Sequence, residues 1–366
     1  MAVNLFRNGI NTTYSYSEFK DNEFILENNG SRINFKSPLE LDPSFDNKEF
    51  DIHFLAKKNI IENEIFQVFL NTPSKKRVGW LIPAISLNST DHDYSTNQHF
   101  LKYAFAAIKE ILQSTDEQIF RNHLDSDQDD FTITDLLHES TAILIISNET
   151  LDDTHVFDID RASPSLVKRG YIKLGQFNPD DIKLEIKSKD NNGKFYVDLL
   201  SKEINGYELI SELLNSSVAF EKKPVFQFFL IYQVFELLID DIFKNEQDKL
   251  IAELNNCRYD TGKSKEVLGK IQNYSSEKKR MELLVYKYSM RSDRMDDLKL
   301  QCNQLLGLIN RDTEHNFQGY FYNLRNFIFH QYRDFPESGN STLEELISTL
   351  LEVLSDILAT YKVPSS

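Results

Sequence analysis

Residues 225–243, VFQFFLIYQVFELLIDDIF, form the one long apolar run of the chain and limit the folds that it can adopt. Polar residues interrupt this run at Gln227, Gln233, Glu236, Asp240 and Asp241. A membrane-spanning helix needs about 20 predominantly apolar residues, and carboxylates within it are costly. A helix that is apolar on nearly all sides is instead buried among other elements of a globular domain. The run therefore predicts the central helix of a helical bundle and not a membrane span.

The region before this helix has the patterns of strands. Several short segments are rich in β-branched and aromatic residues and are bounded by polar clusters. These strand candidates are residues 50–55, 65–70, 78–87 and 142–146. Pro83 lies inside the third of them, which favours an edge strand or a bulged one. Between these candidates, residues 99–113 place their apolar side chains on one face and predict a helix.

A β-hairpin is predicted at residues 182–200. Two alternating runs, IKLEIK and KFYVDL, flank the sequence Asp-Asn-Asn-Gly, which is typical of a tight turn. After this hairpin, residues 201–224 form a junction that contains a predicted short helix at 207–214 and ends with Pro224, a residue suited to the first turn of a helix.

Beyond Pro224 the periodicity is helical throughout. A short helix is expected around Leu250–Leu254, followed by a polar loop at 255–265 and a long helical region at 266–309, with Gly269 and Gly307 as possible breaks. We therefore predict an α+β protein with a β-rich domain over residues 1–205 and an all-α domain over residues 222–362.

Composition and charge restrict the functions to consider. Apolar residues make up 40% of the chain, and the formal net charge is −16, which argues against broad binding to nucleic-acid backbone but leaves a local RNA site open. The two cysteines, Cys257 and Cys302, form neither a disulfide framework nor a metal cluster and suit a reducing cytoplasm. Residues 1–10 contain one arginine and no apolar core, so we expect no signal peptide.

The sequence indicates neither a metal nor a cofactor. Residues 125–129 begin like a calcium loop, but the required glycine and the bidentate glutamate are missing further along. Residues 91–93 together with His99 could hold a metal, yet no second cluster has ligand spacing. The glycine-rich motifs of nucleotide binding and the common hydrolase motifs do not occur. We interpret both segments as polar loops.

The stretch at residues 323–333, NLRNFIFHQYR, sets polar residues into a helical pattern near the end of the chain. An apolar stripe with helical spacing runs through Phe317, Phe321, Leu324, Ile328 and Tyr332. Asn326 and His330 are four residues apart and share a face beside this stripe. Arg325 lies roughly 140° from His330 around the helix axis. Its long side chain, or a second copy of the helix, is needed to bring both groups onto one substrate.

Arginine, asparagine and histidine together suffice for RNA cleavage without a metal. Imidazole exchanges protons near neutral pH, so His330 could act as general acid and base. Guanidinium binds phosphate through a planar fork of donors, so Arg325 could offset the charge that builds on the phosphorane. Asn326 could fix the imidazole tautomer or orient the phosphate. A surface arginine and a boundary histidine are the structural alternative.

The run Arg325-Asn326-Phe-Ile-Phe-His330 resembles the R-x4-6-H signature of the HEPN superfamily, in which the residue after the arginine is commonly asparagine. These all-α domains include many metal-independent RNases of bacterial toxin–antitoxin, phage-defence and CRISPR systems. The helix order agrees, since residues 225–243 look like the long first helix with Glu236 in its middle, and residues 342–361 would close the domain. The resemblance covers residues 222–362.

The resemblance also implies partners and supporting residues. Active HEPN domains usually dimerise so that two signature helices face each other across a cleft, which would resolve the angular separation of Arg325 and His330. Glu236 would pair with Arg325 and hold it ready, while a polar stripe on the bundle surface is the alternative. Tyr332 matches a tyrosine that a partner nucleotidyltransferase modifies in one HEPN toxin group, and a core tyrosine is its alternative.

The most basic stretch of the chain falls in the region 266–309. Its candidate RNA contacts are Lys279, Arg280, Lys287 and Arg291. In an acidic protein such a run is a candidate track for RNA backbone, although a solvated helix face is the more usual meaning.

We therefore expect a metal-independent endoribonuclease of a bacterial anti-phage defence or toxin–antitoxin system. Its partners would be RNA, a second copy of the chain, and an antitoxin or defence-system protein. Residues 1–205 would sense a trigger or select the substrate. The alternative is a non-catalytic HEPN module for dimerisation and binding, with recognition by the amino-terminal domain.

Overall fold

The computed structural model describes residues 3–7, 10–71, 75–114, 130–151, 157–175, 177–186 and 192–364. The chain forms two compact units. The amino-terminal unit comprises Met1–Ala162 and Arg169–Val197, and the carboxy-terminal unit comprises Ser163–Lys168 and Asp198–Ser366. The first unit contains both β-sheets and the second is helical, so the predicted α+β class is confirmed. The sequence did not indicate that residues 163–168 belong to the second unit.

The first sheet is a meander of four antiparallel strands with a fifth strand added in parallel. Its strands are β1 (Val3–Arg7), β2 (Ile10–Lys20), β3 (Glu23–Asn28), β4 (Ser31–Lys36) and β8 (Asp130–Thr132). β8 pairs in parallel with β4. The turns before and after β3 place Asp21, Asn22, Asn29 and Gly30 at positive φ. Two consecutive residues at positive φ are what the favoured two-residue hairpin turns require.

The second sheet has the order β10-β5-β9-β7-β6-β11. Its strands are β5 (Phe50–Ala56), β6 (Phe66–Leu70), β7 (Arg77–Pro83), β9 (Thr141–Ser147), β10 (Ile172–Lys173) and β11 (Lys194–Val197). All seven residues of β9 are buried, as expected of an interior strand covered on both faces. The strands predicted at 50–55, 65–70 and 142–146 are thus confirmed.

One strand prediction is confirmed in its second alternative and another is wrong. β7 lies between β9 and β6 and is not an edge strand, but its pairing with β6 shifts register next to Val68, as expected of a bulged strand, and Pro83 is its last residue. The hairpin is wrong, because β11 runs parallel to β6 and residues 182–186 form no strand. β11 forms its backbone pairing with β6 at the edge of this sheet, so its alternating pattern does not require pairing with the segment that precedes it in the sequence. Residues 187–191 and the acidic segment 125–129 lie outside the described residues.

Helix α1 (Gln98–Gln113) confirms the helix predicted at 99–113 and supplies core residues to both sheets. The Asn97 side chain accepts the Phe100 N–H at 2.9 Å and so caps its first turn. The Phe105 ring packs 5.4 Å from the Phe24 ring of the first sheet, and the Phe100 ring packs 5.5 Å from the Trp80 ring of the second. Two shorter helices follow, α2 (Ile133–Leu136) and α3 (Ile159–Val167).

The carboxy-terminal unit is a bundle. Its helices are α4 (Tyr207–Glu212), α5 (Pro224–Asn256), α6 (Thr261–Tyr274), α7 (Glu277–Leu283), α8 (Met295–Leu308), α9 (Phe317–Gln331) and α10 (Asn340–Thr360). α5 packs against α6, α7, α9 and α10, and α8 packs against α9 and α10. Within the described ranges, no helix combines the length and the apolar content that a bilayer crossing requires.

The long helical region predicted at 266–309 is three helices. The chain breaks between α6 and α7 at Ser275, and again after a π-helical turn at Leu284–Tyr288. Gly269 and Gly307 lie inside helices and break neither, because a tolerated glycine weakens a helix without ending it. The short helix expected around residue 250 is the end of α5, so the predicted polar loop is reduced to residues 257–260.

The apolar stripe on α9 holds this helix against α5. The predicted stripe residues Phe317, Phe321, Leu324 and Ile328 are buried, which confirms them as core. The Phe321 ring lies 5.0–5.7 Å from four others, those of Phe228, Tyr232, Phe235 and Phe317. Tyr332 falls in a short 3-10 turn after α9, and its side chain lies outside the described part of the chain. The ring cluster fixes which face of α9 points towards α5.

Candidate functional site

The Arg325 side chain projects from α9 onto α5 and is held there by two acceptors. Its Nη2 donates to Oε1 of Glu236 at 3.0 Å, and its Nη1 donates to Oδ1 of Asn326 at 3.0 Å. The Arg325 side chain is 15% exposed and that of Glu236 is 40% exposed. The structure thus brings together three of the residues singled out from the sequence.

Two neighbouring aromatic rings restrict the Arg325 guanidinium further. Its central carbon lies 5.0 Å from the centre of the Tyr232 ring and 4.4 Å from that of Phe329. Contacts of this kind attract a cation to the face of a ring. The guanidinium is therefore fixed in position by ring contacts as well as by hydrogen bonds.

A second carboxylate, Glu277 at the start of α7, completes the cluster. Its Oε1 lies 3.9 Å from Nε of Arg325 and accepts a short hydrogen bond from the Tyr232 hydroxyl. Burial raises the pKa of Tyr232 well above its ordinary value, and the bond to Glu277 raises it further. Tyr232 therefore remains a neutral donor over the whole physiological range. Two carboxylates and a neutral tyrosine surround one guanidinium.

His330 has a different environment from Arg325. Its side chain is exposed, and no other described residue forms a hydrogen bond, an ion pair or a ring contact with it. Within one chain the Arg325 guanidinium turns towards α5 while His330 faces solvent, as their angular separation on the helix predicts. The structure brings Arg325 and Asn326 together but does not bring His330 to them.

This arrangement offers an anion binder and a proton carrier on one helix. A guanidinium has five N–H groups, and Glu236 and Asn326 accept from one each, so the second N–H of each Nη forms no hydrogen bond to a described residue, while the Nε atom is buried. An imidazole can serve as general acid and base, and that of His330 is exposed to solvent. The two groups fit acid–base chemistry at a phosphate.

The four cations predicted to contact RNA do not form a track on one helix. Lys279 and Arg280 lie on α7, Lys287 in the π-helical turn, and Arg291 before α8. Each pairs with a carboxylate: Lys279 with Glu282 (2.8 Å), Arg280 with Asp240 (2.7 Å), Lys287 with Glu246 (2.7 Å) and Arg291 with Asp296 (2.7 Å). Their charge is largely compensated, and RNA binding by these residues stays a prediction.

Sequence reasoning missed three members of the cluster, namely Tyr232, Glu277 and Phe329. Tyr232 is hidden within the apolar run of α5, and Glu277 begins a helix that the sequence did not separate from its neighbours. Phe329 looks like another apolar residue, yet its ring stacks on Phe229 at 4.6 Å and lies against Arg325. No local spacing marks Tyr232 or Glu277, because they reach Arg325 from other helices. Phe329 lies four residues after Arg325 on α9, a spacing that brings side chains of one helix together and could have indicated it.

Comparisons of the chain with protein-family models, with curated protein sequences and with solved structures find no match.

Proposed function

We propose that this chain is a metal-independent endoribonuclease of the HEPN type, working in the cytoplasm within a bacterial anti-phage defence or toxin–antitoxin system. The observation that carries the proposal is the Arg325 guanidinium, held by Glu236 and Asn326. The same helix carries His330, which is exposed and forms no hydrogen bond or ion pair with another described residue. The signature residues and the helix order that resemble HEPN domains give the same assignment.

In the proposed reaction the 2′-hydroxyl of RNA attacks the adjacent phosphate. His330 removes the hydroxyl proton as the 2′-oxygen–phosphorus bond forms, and imidazolium returns a proton to the 5′-oxygen as its bond to phosphorus breaks. Arg325 offsets the charge that develops on the phosphorane, and Asn326 orients the phosphate. The products are a 2′,3′-cyclic phosphate and a free 5′-hydroxyl.

A complete site requires two copies of the chain. Arg325 turns towards α5 and His330 faces solvent, so Arg325 of one copy would act with His330 of the other. Apolar side chains on α5 support self-association near this site: Phe226 is 42% exposed, Phe229 36% and Leu237 40%. Phe229 joins this surface to the site, because its ring stacks on Phe329.

The test compares wild type, His330→Ala and Gln331→Ala on labelled single-stranded RNA and on a tRNA pool, in EDTA. Wild type and Gln331→Ala should cleave and leave cyclic-phosphate ends, and His330→Ala should lose at least about 100-fold in rate. Gln331 is the matched control because it is the next exposed residue of the same helix. Equal cleavage by His330→Ala and wild type would remove His330 from the mechanism.

A non-catalytic HEPN module for dimerisation and binding is the second candidate. It is favoured by the low exposure of Arg325 and by the use of both its Nη groups within its own chain. Sedimentation and the RNA assay separate the two candidates, since a stable dimer that cleaves no RNA under any condition fits the module alone. The amino-terminal unit would then carry the recognition.

Regulation through Tyr332 belongs to the same proposal. A tyrosine two residues after His330 suits modification by a partner nucleotidyltransferase, which would silence the RNase. Mass spectrometry of the native protein tests this, because a modified Tyr332 peptide gains the mass of one nucleotide.

A further inference from the structure

A surface cavity of about 260 Å³ lies where the first turns of α8 and α9 meet the segment after α7. Arg291, Lys299 and His315 contribute side chains to it, and Asp296 is the one carboxylate among its lining residues. Two permanent cations and a histidine thus line one cavity beside a single carboxylate, although the chain has a formal net charge of −16. This balance of charge favours an anion as the ligand.

The two permanent cations of this cavity differ in their ion pairing. No other described residue forms an ion pair with Lys299, which is half-buried. Arg291 pairs with Asp296 at 2.7 Å, but its side chain is 61% exposed. An exposed pair of this kind contributes little to stability, so a phosphate would displace Asp296 at little cost. Lys299 is the first contact for the anion, and Arg291 is the second.

The start of α9 adds backbone donors to the same cavity. The Asn316 carbonyl accepts the N–H groups of Gly319 and Tyr320, while the N–H groups of Phe317 and Gln318 have no acceptor among the described residues. Asn316 and Phe317 both line the cavity. The first turn of a 15-residue helix presents such donors together with the positive end of the helix dipole. This donor set is the one that binds phosphate in proteins.

Tyr320 adds a nearly buried hydroxyl to the residues that line the cavity. Tyr320 lines the cavity, is 2% exposed, and its hydroxyl contacts the Met295 sulfur at 3.9 Å. A thioether is a weak acceptor, so within the described part of the chain this nearly buried hydroxyl lacks a strong one. An oxygen-rich ligand in the cavity would supply it.

The exposed ring of Tyr286 indicates what else the ligand contains. It lines the same cavity and is 62% exposed, and no described ring stacks on it. Exposed aromatic side chains beside a cationic groove are platforms for nucleobases. The cavity is slightly smaller than the roughly 300–1,000 Å³ of typical small-ligand sites, so its ligand is small.

We propose that this cavity binds one nucleotide. Lys299, Arg291 and the first turn of α9 hold its phosphate, and Tyr286 stacks on its base. Arg325 lies eight residues further along α9, roughly 12 Å away at 1.5 Å per residue, so the cavity is separate from the proposed cleavage site. The nucleotide is either free or part of an RNA strand, because the same chemistry recognises both.

Calorimetric titration of the full chain tests the proposal with inorganic phosphate, adenosine monophosphate and a short oligoadenylate. His330→Ala serves as the background for all titrations so that the RNA probe stays intact. Lys299→Ala should weaken nucleotide binding about tenfold or more through loss of a charged contact. Tyr286→Ala should weaken binding of the nucleotide and leave that of phosphate unchanged. Lys263→Ala, at a lysine that is 73% exposed on α6, is the matched control.

Asp296→Asn should change nucleotide affinity in the opposite direction, and it therefore distinguishes a loss of the site from a loss of folding. It releases Arg291, so nucleotide binding should tighten severalfold, which a damaged protein would not show. Failure of all three probes at millimolar concentration, or equal binding by Lys299→Ala and the control, would overturn the proposal. Binding of the oligoadenylate without binding of the mononucleotide would identify an RNA strand as the source. None of these outcomes depends on whether the chain cleaves RNA.

Discussion

Arg325 on α9 donates to Glu236 on α5 over 3.0 Å, although 89 residues separate them along the chain. This ion pair links α9 to α5 within the helical bundle. The guanidinium is the more buried partner, and the Tyr232 and Phe329 rings lie against it. This contact sets the direction of the Arg325 side chain, and the proposed chemistry depends on that direction.

Glu236→Gln should reduce RNA cleavage about tenfold and change stability little. The amide retains a hydrogen bond but loses the charge that holds Arg325 in place. The free energy of unfolding should fall by less than about 1 kcal/mol, because Glu236 is 40% exposed and water screens the pair. Cleavage rates and urea unfolding provide the two measurements. Glu266→Gln, which removes an exposed ion pair with Lys270 on α6, is the control and should leave both unchanged.

Arg325→Lys should lower the cleavage rate by about 100-fold with little loss of structure. An ammonium group keeps the charge but cannot contact Glu236, Asn326 and a phosphate through one planar fork. The measurement is the single-turnover rate on labelled RNA, with circular dichroism to check folding. Arg311→Lys is the matched control, since the Arg311 guanidinium contacts Gln331 at 3.1 Å on the exposed end of α9. Full activity of Arg325→Lys would show that charge alone is sufficient.

The contribution of Tyr232 to stability should be lost in alkali. Its pKa in the folded chain is raised, first by burial and then by the bond to Glu277, above the value of 10.0 expected when unfolded. The folded state therefore keeps a proton that the unfolded state releases above pH 10. The stabilisation is complete below pH 10 and decreases as the pH rises towards the folded pKa.

Urea unfolding at several alkaline pH values measures this effect. Tyr232→Phe should start from a lower stability, by about 1 kcal/mol for the lost hydrogen bond, and then lose less stability per pH unit above pH 10. Tyr259→Phe, at a position that is 87% exposed, is the control. Identical slopes for Tyr232→Phe and wild type would contradict the assignment.

Gly79→Ala should destabilise the amino-terminal unit by about 3 kcal/mol. A Cβ on Gly79 would lie 1.8 Å from the backbone oxygen of Ile145, at the pairing of β7 with β9. Backbone in the middle of a sheet cannot move aside as a flexible side chain would, so the strands would have to separate. Thermal or urea unfolding monitored through Trp80 on β7 measures the loss.

The matched control for Gly79→Ala is Gly269→Ala. A Cβ on Gly269 meets nothing within 4 Å and lies inside α6. Alanine favours a helix over glycine there, and stability should rise by about 0.5–1 kcal/mol. Loss of stability in both variants would mean that the close approach to Ile145 is not the cause.

Local sequence patterns predicted the positions of helices and strands better than they predicted which of these elements pair with each other. The apolar run of α5 and the stripe of α9 were readable because helical periodicity lies within one segment. The turn residues Asn192 and Gly193 do have positive φ, yet β11 pairs with distant β6 instead of the preceding residues. Turn chemistry is local, whereas strand pairing depends on which sheet edge is available in the folded unit.

In the candidate site, too, relations within one helix were predicted from the sequence, whereas most contacts between helices were not. The spacing on α9 placed Asn326 and His330 on one face and Arg325 roughly 140° from His330. It did not indicate that the Arg325 and Asn326 side chains form a hydrogen bond. The pairing of Arg325 with Glu236 followed from the family resemblance, since nothing in the spacing of either helix names the other. Glu277 was out of reach, because its role depends on the turn between α6 and α7 and on the Tyr232 hydroxyl.

The ring cluster around Phe321 has a mechanical consequence for α9. The cluster extends from Phe317 in the first turn, which also lines the proposed nucleotide cavity, to Phe321, one turn before Arg325. A helix of 15 residues is stiff over its length of about 22 Å. A small tilt of α9 at Phe317 would therefore displace Arg325 and His330 together. The geometry of the proposed cleavage site would then depend on what occupies the cavity at the first turn of this helix.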